Sequence, residues 1–312
     1  MILLVKSGGE TAVPAWQAAF RDAAPHLSVH WWSDPAIAPE EVSYVLVWQP
    51  EPGWLAGLPN LRLICSSAAG VDHITRDPDW PAHLSIVRMG GHETSQRMSE
   101  YVALGALSLL RDMKRIVTAQ AARTWDYFEN PRNATSVRAG VMGMGNLGAH
   151  AAQMLRGLGF ITAGWSQTRK TIDGIESFAG ADEFHAFLAR TDILVCLLPD
   201  TPATRGIIDS RAIASLPRGA GIVNAGRGGH IVTADLIAAL DSGHLSGAFL
   251  DVFDVEPLPE GDALWTHPKV IVTPHLASLA SIPERARYVA GVIAAFEAGR
   301  PLPNLYRPER GY

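Results

Sequence analysis

The sequence predicts an α/β protein built on two doubly wound parallel sheets. Its 312 residues are enough for two domains that each bury a core. Short apolar runs alternate with helical stretches along the chain, and one glycine-rich turn lies between such a run and a helix. Hydrophobic residues make up 47% and charged residues 18%, which is typical of globular proteins and excludes a disordered or coiled-coil chain.

The predicted elements form two series. Strands are predicted first over 1–5, 43–48, 61–65 and 85–88. A long amphipathic helix should begin near Arg97 and end near Lys114 and Arg115, because the helix dipole favours cations at that end. Further strands are predicted over 137–142, 161–165, 193–198, 221–224, 246–251 and 270–273, and a last helix over 282–298.

Charge and cysteine content narrow the class of protein. A net charge of −5 gives no indication of nucleic-acid binding. No apolar stretch approaches the ~20 residues of a membrane helix, and the apolar run at the N-terminus is too short for a signal peptide. Cys65 and Cys196 lie in apolar runs, which favours buried thiols over a disulfide or a metal site. We therefore expect a cytoplasmic protein without a metal.

The glycine-rich turn has the spacing G-x-G-x-x-G, with Gly143, Gly145 and Gly148 between a predicted strand and a predicted helix. In a dinucleotide site the first glycine allows the tight turn, the second allows the pyrophosphate to approach, and the third allows the helix to pack on the strand. The phosphates bind the free N–H groups of the helix N-terminus. The predicted coenzyme contacts here are Gly143, Met144, Gly145, Asn146, Leu147 and Gly148.

The next strand ends in a basic turn. About twenty residues beyond the glycines, an NAD site would carry an acid for the ribose 2′-hydroxyl. This chain has Ser166, Arg169 and Lys170 there, and these side chains attract a 2′-phosphate through charge-assisted hydrogen bonds. The sequence therefore predicts NADP(H) as coenzyme, although a solvated basic turn without a ligand is the alternative.

Three more segments end strands of the second series and carry reactive side chains. Arg227 is the single cation in a glycine-rich loop, where a guanidinium can bind a carboxylate with two parallel hydrogen bonds. Asp251 and Glu256 follow the next strand, and His275 follows the last. Taken singly, each has an ordinary alternative. Arg227 could be a surface arginine, the acids could be turn formers, and His275 could be a structural histidine. Together at neighbouring strand ends, they predict a proton donor beside an anion site.

The motifs GMGNLG, NAGRGG, LDVFDVEPLP, LWTHP and TPHLAS resemble, in this order and spacing, those of the D-isomer-specific 2-hydroxyacid dehydrogenases. The resemblance covers essentially the whole chain, and segments such as VLVW at 45–48, AGVD at 69–72 and the terminal RGY resemble the bacterial glyoxylate/hydroxypyruvate reductase A branch. It implies a Rossmann-type coenzyme domain (99–282) inserted into a flavodoxin-like substrate domain (1–98 and 283–312). It also implies a homodimer, with the aromatic stretch around Trp125 in the dimer arm.

The resemblance implies a role for each reactive side chain. Arg227 would grip the substrate carboxylate and polarise the keto oxygen, and His275 would donate the proton that completes the reduction. Glu256 would hydrogen-bond the imidazole and favour its charged form. Asp251 resembles the residue that orients the nicotinamide carboxamide.

Further positions follow from the same resemblance. Backbone amides at Ala69 and Gly70 would complete the carboxylate site, although the family often has glycine where this chain has Ala68. Trp48 resembles an aromatic residue near the substrate, with a place in the core as the alternative. The remaining predicted coenzyme contacts are Leu198, Pro199, Thr204, Ala225 and Gly226.

The expected activity is NADPH-dependent reduction of glyoxylate and hydroxypyruvate to glycolate and D-glycerate. The segment 90–94 departs from the branch pattern and leaves the preferred side chain of the 2-oxo acid open. A corepressor-like dinucleotide sensor usually carries long tails for partner motifs, and a phosphoglycerate dehydrogenase usually has an acid after the glycine turn. Formate dehydrogenases have a glutamine at the position of Glu256. This chain has a basic turn where the phosphoglycerate enzymes have the acid, it has Glu256 in place of the glutamine, and such long tails are not expected in it. All three alternatives are therefore less favoured than the reductase.

Overall fold

The computed structural model describes residues 1–312, which form twelve strands and ten α-helices. The strands are β1 (Ile2–Lys6), β2 (Ser28–Trp31), β3 (Val42–Val47), β4 (Leu63–Ser66), β5 (Ser85–Val87), β6 (Arg138–Met142), β7 (Ile161–Ser166), β8 (Glu176–Ala179), β9 (Ile193–Cys196), β10 (Ala220–Asn224), β11 (Leu245–Leu250) and β12 (Val270–Val272). The helices are α1 (Val13–Ala23), α2 (Asp72–Thr75), α3 (His92–Leu110), α4 (Met113–Ala121), α5 (Asn146–Gly157), α6 (Phe184–Ala189), α7 (Ser210–Ser215), α8 (Thr233–Asp241), α9 (Ala263–Thr266) and α10 (Ile282–Glu297).

The strands form two sheets that are parallel throughout. The first has the order β2-β1-β3-β4-β5, which is the flavodoxin-like order, and the second has the order β12-β11-β10-β9-β6-β7-β8. In the second sheet the order reverses at β6, as in a Rossmann domain. The predicted α/β class with two doubly wound parallel sheets is confirmed. Contacts divide the chain into one unit of Met1–Thr94 with Leu279–Tyr312 and another of Ser95–Ser278, against predicted boundaries of 98/99 and 282/283.

Each sheet is buried on both faces, because successive side chains of its central strands enter different apolar clusters. In β1, Leu3 packs with the residues of α1 and α10, while Leu4 packs with a cluster on the other face. In β10, Ile222 and Val223 divide in the same way between the two cores of the second unit. This double burial is what a parallel sheet with helices on both faces requires. No helix combines the length and the apolar character needed to span a bilayer.

Two strands were not predicted, and one predicted helix is wrong at its end. Both β2 and β8 are edge strands, and β8 has no fully buried residue, so neither carries an apolar run that a sequence pattern can detect. The helix predicted to begin near Arg97 does not reach Lys114 and Arg115. It ends at Leu110, because Asp112 adopts a left-handed conformation (φ 52°) that interrupts the helix before α4 begins.

Candidate active site

The glycine turn connects β6 to α5, and its geometry explains two of the three glycines. Gly143 has φ +97°, and a side-chain carbon there would lie 2.6 Å from the carbonyl oxygen of Leu197. A side-chain carbon on Gly148 would lie 1.9 Å from the carbonyl oxygen of Gly143, so only glycine lets the helix approach the turn this closely.

The third glycine faces open space. Gly145 is the N-cap of α5 and makes no side-chain capping bond, and a side-chain carbon there would meet nothing within 4 Å. The turn therefore offers a helix N-terminus with room in front of it, which is the geometry that binds a phosphate. The Met144 side chain is 5% exposed and packs into the core, so any contact of this residue with a coenzyme has to come from its backbone.

The basic turn after β7 is held by Glu183, an acid that was not predicted from the sequence. The Arg169 guanidinium donates to the Ser177 carbonyl and to the Glu183 carboxylate, and the other Glu183 oxygen accepts from the Ala179 N–H at 2.7 Å. The backbone hydrogen bond from Ala179, followed by the Arg169 interaction, holds the pKa of Glu183 below its usual range. A 2′-phosphate that binds Arg169 therefore has to share the guanidinium with Glu183 or displace Glu183 from it.

The other two residues of the basic turn have their own contacts. Ser166 ends β7, and its hydroxyl donates to the Thr168 carbonyl at 2.8 Å. The Lys170 backbone N–H donates to the Ser177 hydroxyl at 3.0 Å, which ties the turn to β8. Hydrogen bonds between side chains and the backbone thus hold the turn in place.

Thr204 makes two hydrogen bonds within the loop after β9. The Thr204 hydroxyl donates to the Pro199 carbonyl at 2.7 Å and accepts from the Thr201 N–H at 2.9 Å. The hydroxyl of Thr204 therefore helps to hold the Leu198–Thr204 loop.

The loop that carries Arg227 begins at the end of β10. The Asn224 side chain accepts from the Gly226 N–H at 3.1 Å and donates to the Arg227 carbonyl at 3.0 Å, closing the loop on itself. The guanidinium of Arg227 donates to the Gly226 carbonyl at 2.8 Å and remains partly exposed. The loop thus presents a cation at the carboxyl end of a buried strand, as the sequence predicts.

Glu256 and His275 form a direct pair. The Nδ1 atom of His275 lies 2.6 Å from Oε2 of Glu256, and Oε1 of Glu256 accepts from the Phe253 N–H at 2.9 Å. Burial acts to raise the pKa of Glu256, but the hydrogen bonds from His275 and Phe253 and the charges of His275 and Arg227 outweigh it and hold that pKa below its ordinary value. Because the ionised carboxylate only accepts hydrogen bonds, Nδ1 of His275 carries the hydrogen in this pair, and Glu256 thereby orients the ring.

The backbone of His275 is left-handed, with φ 53°. The Asp251 carboxylate supports this turn by accepting from the Leu276 N–H at 3.0 Å, the Ala277 N–H at 2.8 Å and the Thr273 hydroxyl at 2.6 Å. Asp251 is 1% exposed, so these bonds are shielded from water.

The three candidate catalytic side chains come from adjacent parts of one sheet. Arg227 follows β10, Glu256 follows β11 and His275 follows β12, and these strands are neighbours in the sheet order. Parallel strands place their carboxyl ends at the same edge, which is where ligands bind in such sheets. The structure thus brings together the residues that the motifs identified separately.

The predicted substrate residues Trp48, Ala69 and Gly70 belong to the other compact unit. The Trp48 ring lies against His73, with centroids 4.4 Å apart, and is partly exposed, so it is not a fully buried core residue. The Ser66 hydroxyl accepts from the Ala68 N–H at 3.1 Å and donates to the Gly70 carbonyl at 2.8 Å. Ser66 therefore shapes the turn that contains Ala69 and Gly70.

Several residues around the site were not predicted from the sequence. Glu183 and Thr273 contact predicted site residues, Tyr101 hydrogen-bonds Thr273 at 2.8 Å, and His230 lies fully buried behind the Arg227 loop. Two of them had a visible signal, because His230 directly follows the NAGRGG motif and Thr273 is the first residue of TPHLAS. The others are separated from their partners by up to 172 residues, and no local pattern connects them.

Known proteins of one family match this chain over nearly its whole length. Residues 104–277 match the family model described as the NAD-binding domain of D-isomer-specific 2-hydroxyacid dehydrogenases. A glyoxylate/hydroxypyruvate reductase A of Salmonella newport is 39% identical over 303 residues, covering 95% of this chain and 96% of that protein.

Solved structures give the same result. A D-isomer-specific 2-hydroxyacid dehydrogenase of Xanthobacter autotrophicus, in complex with NADPH and MES, is 40% identical with a TM-score of 0.92 and covers 100% of this chain and 99% of its own. An NADPH-dependent glyoxylate/hydroxypyruvate reductase of Sinorhizobium meliloti, in complex with NADP and sulfate, is 37% identical with a TM-score of 0.90 and the same coverage.

Proposed function

The chain belongs to the D-isomer-specific 2-hydroxyacid dehydrogenase family, and we propose that it reduces glyoxylate and hydroxypyruvate to glycolate and D-glycerate with NADPH. One observation carries the proposal: Arg227 and the hydrogen-bonded pair Glu256–His275 follow three adjacent strands of one sheet. A cation for the substrate carboxylate and an acid for the keto oxygen are the two groups that this reduction requires of the protein.

The coenzyme supplies the hydride when bound, and the side chains bind the substrate and move the proton. The Arg227 guanidinium binds the carboxylate of the 2-oxo acid with two parallel hydrogen bonds and draws electron density from the keto oxygen. Nε2–H of His275 donates its proton to that oxygen as the carbon is reduced, so that the alcohol forms with one hydride and one proton. Glu256 stabilises the protonated imidazole through the 2.6 Å bond to Nδ1.

The residues of the second unit fit NADP(H). The turn at 143–148 and the N-terminus of α5 would hold the pyrophosphate, because Gly145 leaves open space in front of the helix. Arg169, Lys170 and Ser166 would hold the 2′-phosphate, with Arg169 exchanging its bond to Glu183 for one to the phosphate. The remaining proposed contacts are Leu198, Pro199, Thr204, Ala225, Gly226 and Asp251.

We assign the coenzyme to the unit of residues 95–278 and substrate contacts at Trp48, Ala69 and Gly70 to the other unit. We also propose a cytoplasmic homodimer. Apolar side chains of α4 and the segment after it support the dimer, since Trp125 is 95% exposed and Tyr127 is 79% exposed.

The experiment is a steady-state panel. The purified chain would be assayed with glyoxylate, hydroxypyruvate, pyruvate and bulkier 2-oxo acids, each with NADPH and NADH, and the glycerate enantiomer would be identified. We expect turnover of glyoxylate and hydroxypyruvate, higher kcat/KM with NADPH, and D-glycerate as product. NADPH binding without turnover of any 2-oxo acid would instead support a dinucleotide sensor, and turnover of 3-phosphoglycerate alone would support a phosphoglycerate dehydrogenase.

A further inference from the structure

His230 lies with no exposed surface between two functional loops. Its Nδ1 atom is 3.1 Å from the backbone nitrogen of Arg227, and its Nε2 atom is 3.1 Å from the carbonyl oxygen of Pro199. One contact reaches the loop of the proposed substrate-binding cation, and the other reaches the Leu198–Thr204 loop of the proposed coenzyme site. Both ring nitrogens are therefore used, each for a different loop.

The partners determine where the ring proton lies. The backbone N–H of Arg227 is a donor, so Nδ1 has to be an acceptor without a hydrogen. The Pro199 carbonyl is an acceptor, so Nε2 has to carry the hydrogen. Burial raises the pKa of the Cys196 thiol to about 12, which keeps a protonated sulfur 3.4 Å from Nδ1 as a further donor. All three contacts agree on a neutral imidazole with its hydrogen on Nε2.

Backbone bonds of the same segment join the two loops. The Ile208 N–H donates to the His230 carbonyl at 2.9 Å, and the Gly206 N–H donates to the Gly229 carbonyl at 2.7 Å. The imidazole extends this connection to Pro199, whose carbonyl also accepts from the Thr204 hydroxyl. The His230 side chain thus bonds to both the Arg227 backbone and the Pro199 carbonyl.

We propose that His230 is a positioning residue that couples the substrate and coenzyme sites, with Nδ1 fixing the Arg227 loop and Nε2 fixing the Leu198–Thr204 loop. The proposal rests on the proposed function of those loops. A histidine that only filled core space would affect the stability of the fold and would leave both affinities unchanged. A positioning histidine has separable effects, because each nitrogen serves a different ligand.

Two substitutions separate the two nitrogens. In His230→Asn the side-chain oxygen can stand near Nδ1 and still accept from the Arg227 N–H, but the bond to Pro199 is lost. In His230→Gln the longer side chain can place its amide N–H near Nε2 and still donate to Pro199, but the acceptor for Arg227 is lost. Asparagine therefore preserves the Arg227 contact and glutamine preserves the Pro199 contact.

Affinities would be measured as the Kd of NADPH, by fluorescence titration, and the KM of glyoxylate. We expect His230→Asn to raise the NADPH Kd about fivefold to twentyfold with KM within about twofold, as the loss of one buried hydrogen bond implies. His230→Gln should raise KM by a similar factor with the NADPH Kd within about twofold. Unchanged values in both variants, or equal changes in both constants, would overturn the proposal.

His267 provides a matched control. It is also a buried histidine of the second unit, its Nδ1 accepts from the Lys269 N–H at 3.1 Å, and its Nε2 lies 3.3 Å from Asp241. It precedes β12, at the opposite end of the strand from His275, so His267→Asn and His267→Gln should change thermal stability and neither constant. If they changed the constants as the His230 variants do, the effect would be a general one of removing a buried histidine.

A measurement on the unaltered protein covers the case in which the His230 variants do not fold. Nitrogen-15 NMR of the labelled histidines should show a buried ring, other than that of His267, with hydrogen on Nε2 only at neutral pH. A hydrogen on Nδ1 of that ring would overturn the proposal. If the wild type reduces no 2-oxo acid, the proposed function fails; if it is active and the variants match it, this inference fails instead.

Discussion

Replacing Glu256 with glutamine removes the negative charge beside His275 while keeping an oxygen that can accept the Nδ1 hydrogen bond. The pair is close, with 2.6 Å between Nδ1 and Oε2, and the backbone N–H of Phe253 holds the other carboxylate oxygen. Glutamine has nearly the same shape, so the change is chiefly one of charge. Because reduction requires a protonated His275, we expect the variant to keep activity at acidic pH and to lose it at lower pH than the wild type.

The size of the effect of Glu256→Gln on activity follows from the exposure of the His275–Glu256 pair. The His275 and Glu256 side chains are 33% and 31% exposed, so water weakens their interaction without cancelling it. A charge-assisted hydrogen bond at such a site contributes ~2 kcal/mol and a neutral one ~1 kcal/mol. The difference of about 1 kcal/mol corresponds to roughly a fivefold lower kcat/KM of the variant on the alkaline side of the profile.

The pKa of Glu256 itself sets the acidic limit of this comparison. Since that pKa lies below its ordinary value, the carboxylate is charged throughout the neutral and mildly acidic range. Its contribution to the stability of the fold is present above the unfolded pKa and is lost as the pH falls through the lowered folded pKa. The wild type therefore has this charge over the whole range of the assay, and the two activities should converge on the acidic side of the limb, where the proton donor is protonated in both proteins.

The assay is log(kcat/KM) for glyoxylate reduction from pH 5 to 10 in the wild type, Glu256→Gln and His275→Ala. His275→Ala should be impaired at every pH with NADPH binding nearly intact, because its role is proton donation and substrate orientation. An alkaline limb at the same pH in Glu256→Gln as in wild type, or a largely active His275→Ala, would refute the assignment of this pair.

Three further outcomes are expected. Replacing Arg169 and Lys170 together by alanine should weaken NADPH binding by about 2 kcal/mol, since Arg169 has to give up Glu183 to bind the phosphate, while NADH binding changes little; equal losses for both coenzymes would contradict it. Arg227→Lys should lower kcat/KM for glyoxylate at least ~100-fold, because a point charge cannot reproduce the planar two-bond contact, and near-normal efficiency would refute that reason. Asp192→Asn should lower the free energy of unfolding by about 2 kcal/mol at neutral pH without changing KM, because Asp192 accepts two bonds from the Arg138 guanidinium.

The pH dependence of that last effect has a definite sign. Burial acts to raise the pKa of Asp192, but its bonds from Arg138 outweigh this and lower it. The stabilisation is therefore present above the ordinary carboxyl pKa and lost as the pH falls through the lowered one. Chemical denaturation at neutral and strongly acidic pH measures it, and the difference between variant and wild type should shrink in acid.

Some elements were predictable because their patterns are local. The central strands β6, β9, β10 and β11 are largely buried apolar runs, and the glycine turn is recognisable from its spacing between a predicted strand and a predicted helix. The edge strand β8 has no buried residue, so its pairing with β7 decides its conformation. The end of α3 was missed because the conformation of Asp112 is not visible in helical periodicity.

The sequence by itself determined the α/β class, the two series of strands, the glycine turn and the three strand-end side chains Arg227, Glu256 and His275, because each depends on residues close together in the chain. Only the tertiary structure decided how those side chains are held. Glu183 reaches Arg169, Tyr101 supports Thr273, and His230 bonds to Pro199, across separations of 14, 172 and 31 residues. Hydrogen bonds of this kind form only after the sheet has brought distant segments to one edge, so no periodicity or motif contains them.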